Sequence, residues 1–370
     1  MARALTADQL RVLRLTAQHL AGEPAGGIVG AVTRVVGVQA QAAAPARLAL
    51  RARVTGIGVE DVNRTCAVGE VVRTWAMRGT LHMLAAADVR WMVGLLGPVF
   101  ARAHQRRREQ LGLDEVSCGR GMAGIERVLR GSVPLTRAEL VRRLGDEGLA
   151  LDLRSQAPAH LVGYAAMRGL ICRGPEVDAD EPTYVLLDEW VAAGPAGDRD
   201  GALAELARRY LAGYGPAGVA DFVAWSGLPV RDGRRAFTLL ADELVEVEVA
   251  GTVLCAPRSL ELDADPVCPP RLLGHFDSLL LGYRGRDLFV DPVHATRIQA
   301  GGGYIRPAAI VGGRVVGSWR LDGGRNLRRV VLEPFGPLPA PDLDGLRRDA
   351  DDVGRFLGLT LPLPGSPRSR

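Results

Sequence analysis

Helices, a turn at glycine and a pair of strands follow one another in the same order three times along the chain. The order is clearest in the third copy, where apolar spacing predicts helices over 219–225 and 230–240, separated by a turn at Gly227. Alternating residues then predict strands over 244–249 and 252–255. Helix, turn, helix and hairpin is the order of a winged helix-turn-helix. The pattern therefore predicts tandem winged-helix units.

The first two copies are less regular but contain the same elements. The first combines predicted helices over 5–20, 28–38 and 59–68 with hairpin strands over 71–75 and 80–84. The second has predicted helices over 121–130, 137–144 and 159–168 and strands over 170–173 and 183–187. Thr136 and Glu139 form a capping-box pattern at the start of the helix over 137–144. Because the copies do not repeat at a strict period, they indicate duplication rather than a solenoid.

The chain changes to a strand-rich pattern beyond residue 270. Strands are predicted over 278–283, 288–290, 304–311, 314–319 and 327–332, and a closing helix over 339–357. The residues after Pro364 are predicted to be disordered. The predicted fold is therefore α+β, with three tandem winged helix-turn-helix units over 1–110, 111–195 and 196–260 and a C-terminal β-rich region over 271–360.

Composition excludes several classes of protein. The sequence has no run of about 18 apolar residues and no signal-peptide core, so a cytoplasmic protein without a membrane span is expected. The five cysteines lie far apart, with no Cys-x-x-Cys or Cys/His cluster, so neither disulfides nor a metal site is expected. Nucleotide-binding, hydrolase and kinase motifs are missing from the sequence, and no cofactor is expected.

The basic residues are all arginines. The chain has 46 of them and no lysine, and its formal net charge is +4. A GC-rich genome accounts for this composition, but its physical consequences do not depend on the cause. Arginine suits phosphate contacts better than lysine does. The chain also has no lysine amine with which to form a Schiff base.

The first predicted hairpin carries four candidate DNA-binding residues, Arg73, Trp75, Arg78 and His82. Arginines around an aromatic residue on a wing suit contact with DNA. The alternative is a tryptophan packed inside its own domain beside solvated arginines. The sequence does not decide between these two interpretations.

Two other segments carry further candidates for DNA contact. Arg231 and Arg234 begin the helix that would be the recognition helix of the third unit. Tyr304 and Arg306 follow three consecutive glycines, in a segment that could approach a DNA groove. The alternatives are an ordinary surface helix and a plain flexible turn.

Two acid–histidine pairs have no third metal ligand at useful spacing. They are His275 with Asp277, and Asp291 with His294. Both pairs are interpreted as structural, with orientation or transfer of protons near neutral pH as the alternative.

Gln39-Ala40-Gln41 places two amides in an apolar stretch. An unpaired buried amide costs roughly 1–3 kcal/mol, so both side chains need partners. Side chains two residues apart share one side of an extended segment but not of a helix. Two converging amides could hold a water molecule, whereas the alternative is two ordinary polar residues near a helix end.

The combination of these motifs resembles the AlkZ family of bacterial winged-helix DNA glycosylases. It rests on the glutamine pair, RTWAMRGTLH over 73–82, FVAWSGL over 222–228 and DPVH over 291–294, and it extends over nearly the whole chain. The resemblance implies that the family's catalytic glutamine-x-glutamine motif falls on Gln39 and Gln41, where a sister branch has aspartate second. It also implies the branch that protects producers of DNA-alkylating natural products, such as azinomycin, and unhooks interstrand crosslinks.

The activity implied is that of a monofunctional DNA glycosylase acting on N7-alkylated purines in double-stranded DNA, and a monomer is expected. Such a purine is already a cation and a good leaving group, so no strong general acid is required. Neutral amides then need only place water near the anomeric carbon. Two alternatives remain open: a non-catalytic winged-helix transcriptional regulator and a protein that sequesters the free toxin.

Overall fold

The computed structural model describes residues 2–177, 181–194, 197–263, 266–323 and 328–359, so the predicted disordered tail lies outside the described residues. The described part is mixed α+β, which is the predicted class. Its first strands are β1 (Arg3–Ala4), β2 (Val38–Gln39), β3 (Val71–Trp75) and β4 (Leu81–Ala85). Its first helices are α1 (Ala7–Ala17), α2 (Ile28–Arg34), α3 (Ala43–Arg51), α4 (Val59–Ala67), α5 (Ala86–Ala103) and α6 (Gln105–Gln110).

The next part of the chain repeats helices followed by a hairpin. It contains α7 (Glu115–Leu129), β5 (Leu135–Thr136), α8 (Arg137–Asp146), α9 (Ala157–Met167), β6 (Ile171–Val177), β7 (Glu181–Leu186) and α10 (Leu187–Trp190). Thr136 caps α8 in a reciprocal capping box with Glu139, since each side chain accepts from the other residue's backbone N–H. The predicted start of this helix is therefore confirmed.

The first two hairpins share one six-stranded sheet. The strand order is β2-β4-β3-β6-β7-β5, and β3 meets β6 where Arg73 lies opposite Arg173. Apolar residues of the second repeat form a core cluster of their own beneath this sheet. Because β2 is an edge strand, the segment that carries Gln39 lies at the margin of the sheet.

The third repeat has the predicted order of elements. It contains α11 (Arg199–Tyr214), α12 (Val219–Ser226), α13 (Val230–Leu239), β8 (Leu244–Val249) and β9 (Thr252–Pro257). Gly227 ends α12 in the left-handed conformation, with a φ of 76°, which glycine adopts without steric cost. The N-terminal strand β1 pairs in parallel with β8, an association that the sequence did not predict.

The C-terminal region is less regular than predicted. It contains β10 (Arg271–Leu273), α14 (Ser278–Leu281), α15 (Ala295–Ile298), β11 (Ala308–Val311), β12 (Arg314–Asp322), β13 (Arg329–Pro334) and α16 (Ala340–Phe356). The prediction of a strand over 278–283 is wrong, because Asp277 caps a short helix there by accepting a hydrogen bond from the Leu279 N–H. The prediction over 288–290 is also wrong: the Phe289 and Val290 N–H groups both donate to the Arg286 carbonyl, which turns the chain.

Helix α11 packs directly against the end of α2. Its Gly213 lies so close that a Cβ atom would be 2.1 Å from the Arg34 carbonyl oxygen. The Tyr214 hydroxyl donates to the Val35 carbonyl oxygen at 2.8 Å. The third repeat thus fixes the point at which the chain leaves α2. Among the described residues, no helix is both long and apolar enough to cross a bilayer.

Candidate active site

The segment between α2 and α3 brings Gln39 and Gln41 together. Helix α2 was predicted to reach residue 38 but ends at Arg34, because Val36 and Gly37 have φ values of +52° and +100°. The chain then runs extended: Gln39 pairs with His82 of β4, and the Ala40 N–H donates to the Leu81 carbonyl at 2.7 Å. The two glutamine side chains consequently point to one side.

The glutamine amides are bonded to each other. Nε2 of Gln39 donates to Oε1 of Gln41 at 2.9 Å. Gln39 is half-buried and Gln41 is exposed, so the pair lies at the edge of the protein surface. This arrangement leaves lone pairs and N–H groups of both amides available to a water molecule or a substrate.

Arg78 is the third member of this cluster. Its Nη2 donates to Oε1 of Gln39 at 2.8 Å, and its Nη1 donates to the Trp225 carbonyl at the end of α12. Burial lowers the pKa of the Arg78 guanidinium. The charge of Arg286 lowers this pKa further, whereas Tyr214 raises it. Both terminal nitrogens of Arg78 thus bind groups within the protein, which argues against its predicted role in DNA contact.

The backbone of Arg78 is strained. Its φ of +55° places a non-glycine residue in the left-handed region, within the short helical turn Met77–Gly79 that joins β3 to β4. Such conformations cost about 1–3 kcal/mol and persist where the surroundings impose them. Here Gly227 packs against the turn so closely that a Cβ atom would lie 3.0 Å from the Arg78 Cα.

Arg73 and His82 are buried, with 7% and 2% of their surface exposed, which argues against the predicted DNA contacts. Arg73 forms an ion pair with Glu176 and donates to the Ala40 carbonyl at 2.8 Å. His82 donates from Nδ1 to the Thr80 carbonyl at 2.9 Å, because a carbonyl oxygen only accepts. Both residues therefore hold the glutamine segment and its neighbouring strand.

Trp75 follows the alternative interpretation, a tryptophan packed inside the protein. It is half-buried, and a Cβ atom on Gly163 of α9 would lie 3.5 Å from its indole ring. The Arg173 guanidinium lies over the same ring at 5.8 Å from the centroid. The indole therefore joins the first hairpin to the second repeat.

The remaining predicted DNA contacts lie at the surface. Arg231 and Arg234 are exposed on α13, where Arg231 lies 3.7 Å from the Asp232 carboxylate and the adjacent Arg235 pairs with Asp200. Tyr304 is 43% exposed and Arg306 is exposed, just beyond glycines with positive φ at 301–303. These four side chains are accessible to a partner.

The acid–histidine pairs have structural contacts. Asp277 is fully buried and bonds both nitrogens of the Arg53 guanidinium, at 2.8 and 2.9 Å. The His275 ring meets Tyr304 with 5.1 Å between centroids. Asp291 accepts from the Val293 N–H, and His294 packs on Phe335 with 4.4 Å between ring centroids. Among the described residues, no group of three or more His, Cys, Asp or Glu residues is placed to hold a metal.

A cavity of about 790 Å³ lies on the opposite face of the sheet from the glutamines. Its lining includes Arg73 and Met83, and Met83 is the strand neighbour of His82, which lies opposite Gln39. Since successive strand residues point to opposite faces, the cavity and the glutamine pair are separated by the sheet. Arg73, which also bonds the Ala40 carbonyl, connects the two places.

Sequence reasoning missed the contacts that support the glutamines. Glu176 of β6 and Trp225 of α12 lie far from residue 39 in the chain, and neither has a motif that identifies it as a partner. The clue to Arg78 was its position before Gly79 in a tight turn, which selects its backbone conformation but not its hydrogen bonds.

Burial of His82 predicts a pH-dependent stability. Burial, reinforced by the Arg78 charge, lowers the pKa of His82 from 6.5 to about 3. Between these values the unfolded chain binds a proton that the folded protein does not, so stability falls as the pH drops below 6.5. Urea unfolding at about pH 6 and 5 measures this effect. Between these pH values the free energy of unfolding of the parent should fall by about 1.4 kcal/mol per pH unit more than that of His82→Asn. Equal slopes for the two proteins would contradict this prediction.

The chain is similar to known proteins over most of its length. A sequence model of the DNA glycosylase AlkZ-like family matches residues 32–356. An interstrand DNA cross-link repair glycosylase of Streptomyces sahachiroi is 31% identical over 352 residues, which are 90% of this chain and 91% of the relative. The solved structure of the Streptomyces sahachiroi DNA glycosylase AlkZ matches with a TM-score of 0.83 and 28% identity, over 98% of this chain and 99% of that one.

These matches define a DNA glycosylase. The chain belongs to the AlkZ-like DNA glycosylase family, because the family match spans most of its length. The predicted family resemblance is thereby confirmed. The match also favours catalysis over the two alternatives left open by the sequence, a transcriptional regulator and a toxin-sequestering protein.

Proposed function

We propose that this DNA glycosylase hydrolyses the N-glycosidic bond of N7-alkylated purines, including bulky adducts and interstrand crosslinks, with water placed by Gln39 and Gln41. The observation that carries the proposal is the 2.9 Å contact between the two amides at the protein surface. The relative named for interstrand cross-link repair supports the crosslink part of the proposal.

The chemistry fits two neutral amides. The water oxygen bonds to C1′ while the bond from C1′ to the purine nitrogen breaks, and the bonding electrons neutralise the positive charge of the alkylated base. The proton released by the water passes to solvent, because glutamine is not a base at neutral pH. The amides contribute position and hydrogen bonds, which act most strongly as charge develops on the sugar.

The repeats support binding to double-stranded DNA. We interpret them as three winged helix-turn-helix units that act as a monomer, with the boundaries predicted from the sequence. Arg231 and Arg234 on α13 and Tyr304 with Arg306 beyond the glycine turn are the proposed contacts, since all four are exposed. The buried Arg73 and His82 are excluded from this set.

Release of free N7-methylguanine from a DNA duplex that contains it tests the proposal. The parent protein should release the base, detected by chromatography, and leave a strand that alkali cleaves at the abasic site. A duplex with an N7-linked interstrand crosslink should separate on a denaturing gel after incubation. Binding of either duplex without any base release would contradict the proposed function.

The enzyme should leave an abasic site that is not cleaved by a lyase reaction. Abasic-site lyases commonly attack through an amine, and this chain has no lysine side chain. Borohydride added during turnover should therefore trap no protein–DNA adduct on a side chain. A lysine-dependent bifunctional glycosylase, run in parallel, serves as the positive control, and a trapped side-chain adduct here would contradict the prediction.

Affinity for undamaged duplex should depend on the exposed arginines of α13. Arg231→Ala and Arg234→Ala should each weaken binding across sequences and lower the salt slope by about one, as expected for a lost phosphate contact. Titrations between about 50 and 200 mM salt measure this slope. Arg347→Ala, in an exposed ion pair with Asp344 on α16, is the matched control and should bind like the parent.

A further inference from the structure

The direction of the hydrogen bonds between two glutamines is not fixed by the glutamines themselves. Each amide has an oxygen that accepts and a nitrogen that donates, and rotation by half a turn exchanges them. Two facing amides can thus bond as Gln39 to Gln41 or in the reverse direction. A third group that can act in one way alone is needed to select one direction.

Arg78 is such a group, because a guanidinium donates and never accepts. Its Nη2 lies 2.8 Å from the side-chain oxygen of Gln39, so the oxygen must face the arginine and the nitrogen must face away. That nitrogen lies 2.9 Å from Oε1 of Gln41, which must then be the acceptor. One permanent donor therefore determines the orientation of both amides.

We infer that Arg78 is a positioning residue that sets the direction of the Gln39–Gln41 pair and thereby places Gln41 Oε1 as the oxygen that accepts from the attacking water. The inference rests on the proposed function, in which these glutamines hold that water. In this orientation a second lone pair of Gln41 Oε1 and a second N–H of Gln39 remain for the water.

The surroundings of Arg78 hold it in this role. The strained turn at φ +55° directs its side chain beneath Gln39, and the Ala76 N–H closes the turn by donating to the Thr80 carbonyl at 3.0 Å. Its second terminal nitrogen is anchored on the Trp225 carbonyl of α12. By contrast, the Arg231 side chain is 86% exposed and lies 3.7 Å from the Asp232 carboxylate, so it is held less closely than Arg78.

The hydrogen bonds run from Arg78 to Gln39 and from Gln39 to Gln41, and this direction gives the two glutamines different roles. Position 39 must accept from Arg78 and donate to position 41, which an amide does and a carboxylate does not. Position 41 must only accept from Gln39, which a carboxylate does as well. Gln39→Glu should therefore lower excision more than Gln41→Glu, although both substitutions preserve side-chain length.

Single-turnover excision of N7-methylguanine from a duplex at saturating protein, together with the Kd for that duplex, tests the inference. Arg78→Met should lower the excision rate by about 10²-fold, the loss expected from a misplaced reacting group, with little change in Kd. Arg78→Lys should stay within about tenfold of the parent, because an ammonium also only donates. Arg347→Met, at an exposed arginine paired with Asp344 on α16, is the matched control and should leave both the Kd and the saturated rate unchanged.

A double-mutant cycle separates orientation from packing. In the Gln41→Glu background the acceptor-only carboxylate itself turns the Gln39 nitrogen towards position 41, so Arg78→Met should cost much less than in the parent. An equal loss in both backgrounds, or a raised Kd with an unchanged rate, would overturn the inference. If circular dichroism shows that Arg78→Met is unfolded, the glutamate comparison decides: equal rates for Gln39→Glu and Gln41→Glu would overturn it.

The two levels of proposal fail differently. If the parent protein releases base and Arg78→Met does so at the same rate, the inference about Arg78 is wrong and the proposed function stands. If the parent releases no base from the methylated duplex, the proposed function is overturned, and the inference with it.

Discussion

Gln39→Ala and Gln41→Ala should each lower single-turnover excision of N7-methylguanine by about 10²–10³-fold, the effect of removing one preorganised hydrogen bond to a transition state. Each substitution removes one of the amides that converge at 2.9 Å, and with it a partner for the proposed water. The extended segment should persist, because the Ala40 N–H bond to Leu81 and the pairing with β4 involve backbone atoms.

Affinity for DNA should change far less than the rate, since phosphate contacts elsewhere dominate binding. Gln110→Ala, an exposed glutamine at the end of α6, is the matched control and should excise at the parent rate. Parent-like rates for both Gln39→Ala and Gln41→Ala would mean that the pair is structural.

Gln41→Asp tests specificity at the same site. A carboxylate stabilises positive charge on the sugar better than an amide and is a stronger base, so activity should extend to less activated alkyl adducts. Its side chain is one carbon shorter, so excision of the preferred adduct should fall. Rates on a cationic and a neutral purine adduct, measured in parallel, give the comparison.

Asp277→Ala should destabilise the protein by about 3–5 kcal/mol, as expected when one partner of a buried ion pair is removed. The Asp277 and Arg53 side chains are both fully buried, and the two carboxylate oxygens accept from the two terminal nitrogens of the guanidinium. Alanine would leave a buried positive charge and also remove the cap of α14.

Urea unfolding monitored by fluorescence measures this loss. Asp344→Ala is the matched control, because the Asp344–Arg347 pair is about half exposed at both ends. Such surface pairs contribute about 0–1 kcal/mol. A loss for Asp277→Ala no larger than that of the control would contradict a stabilising role for the buried pair.

The sequence predicts the local elements well where spacing and turn chemistry agree. Gly227 marks a helix end because glycine alone enters the left-handed region easily, and the structure has that turn. Thr136 with Glu139 predicts a helix start through a reciprocal cap, which is also present. These signals depend on residues a few positions apart, so one sequence contains all the necessary information.

The errors occur where distant residues decide the structure. The apolar stretch over 278–283 has strand composition, but the cap from Asp277, itself fixed by Arg53, turns its start into a helix. The sequence left open whether the first hairpin contacts DNA or packs inside the protein, and Arg73 is buried against Glu176 of the neighbouring repeat. Arg78 likewise reaches across to Trp225. None of these partners can be found by periodicity, because each lies in another part of the chain.

The Arg53–Asp277 pair has a consequence for synthesis on the ribosome. Its partners are 224 residues apart, so Arg53 emerges long before the carboxylate that neutralises it. At about 5–20 residues per second, the interval is about 11–45 s. During that time the Arg53 side chain has no carboxylate partner and stays hydrated. The core of the first unit around it therefore stays incompletely packed. Completion of the N-terminal fold is thus delayed until most of the chain has been translated.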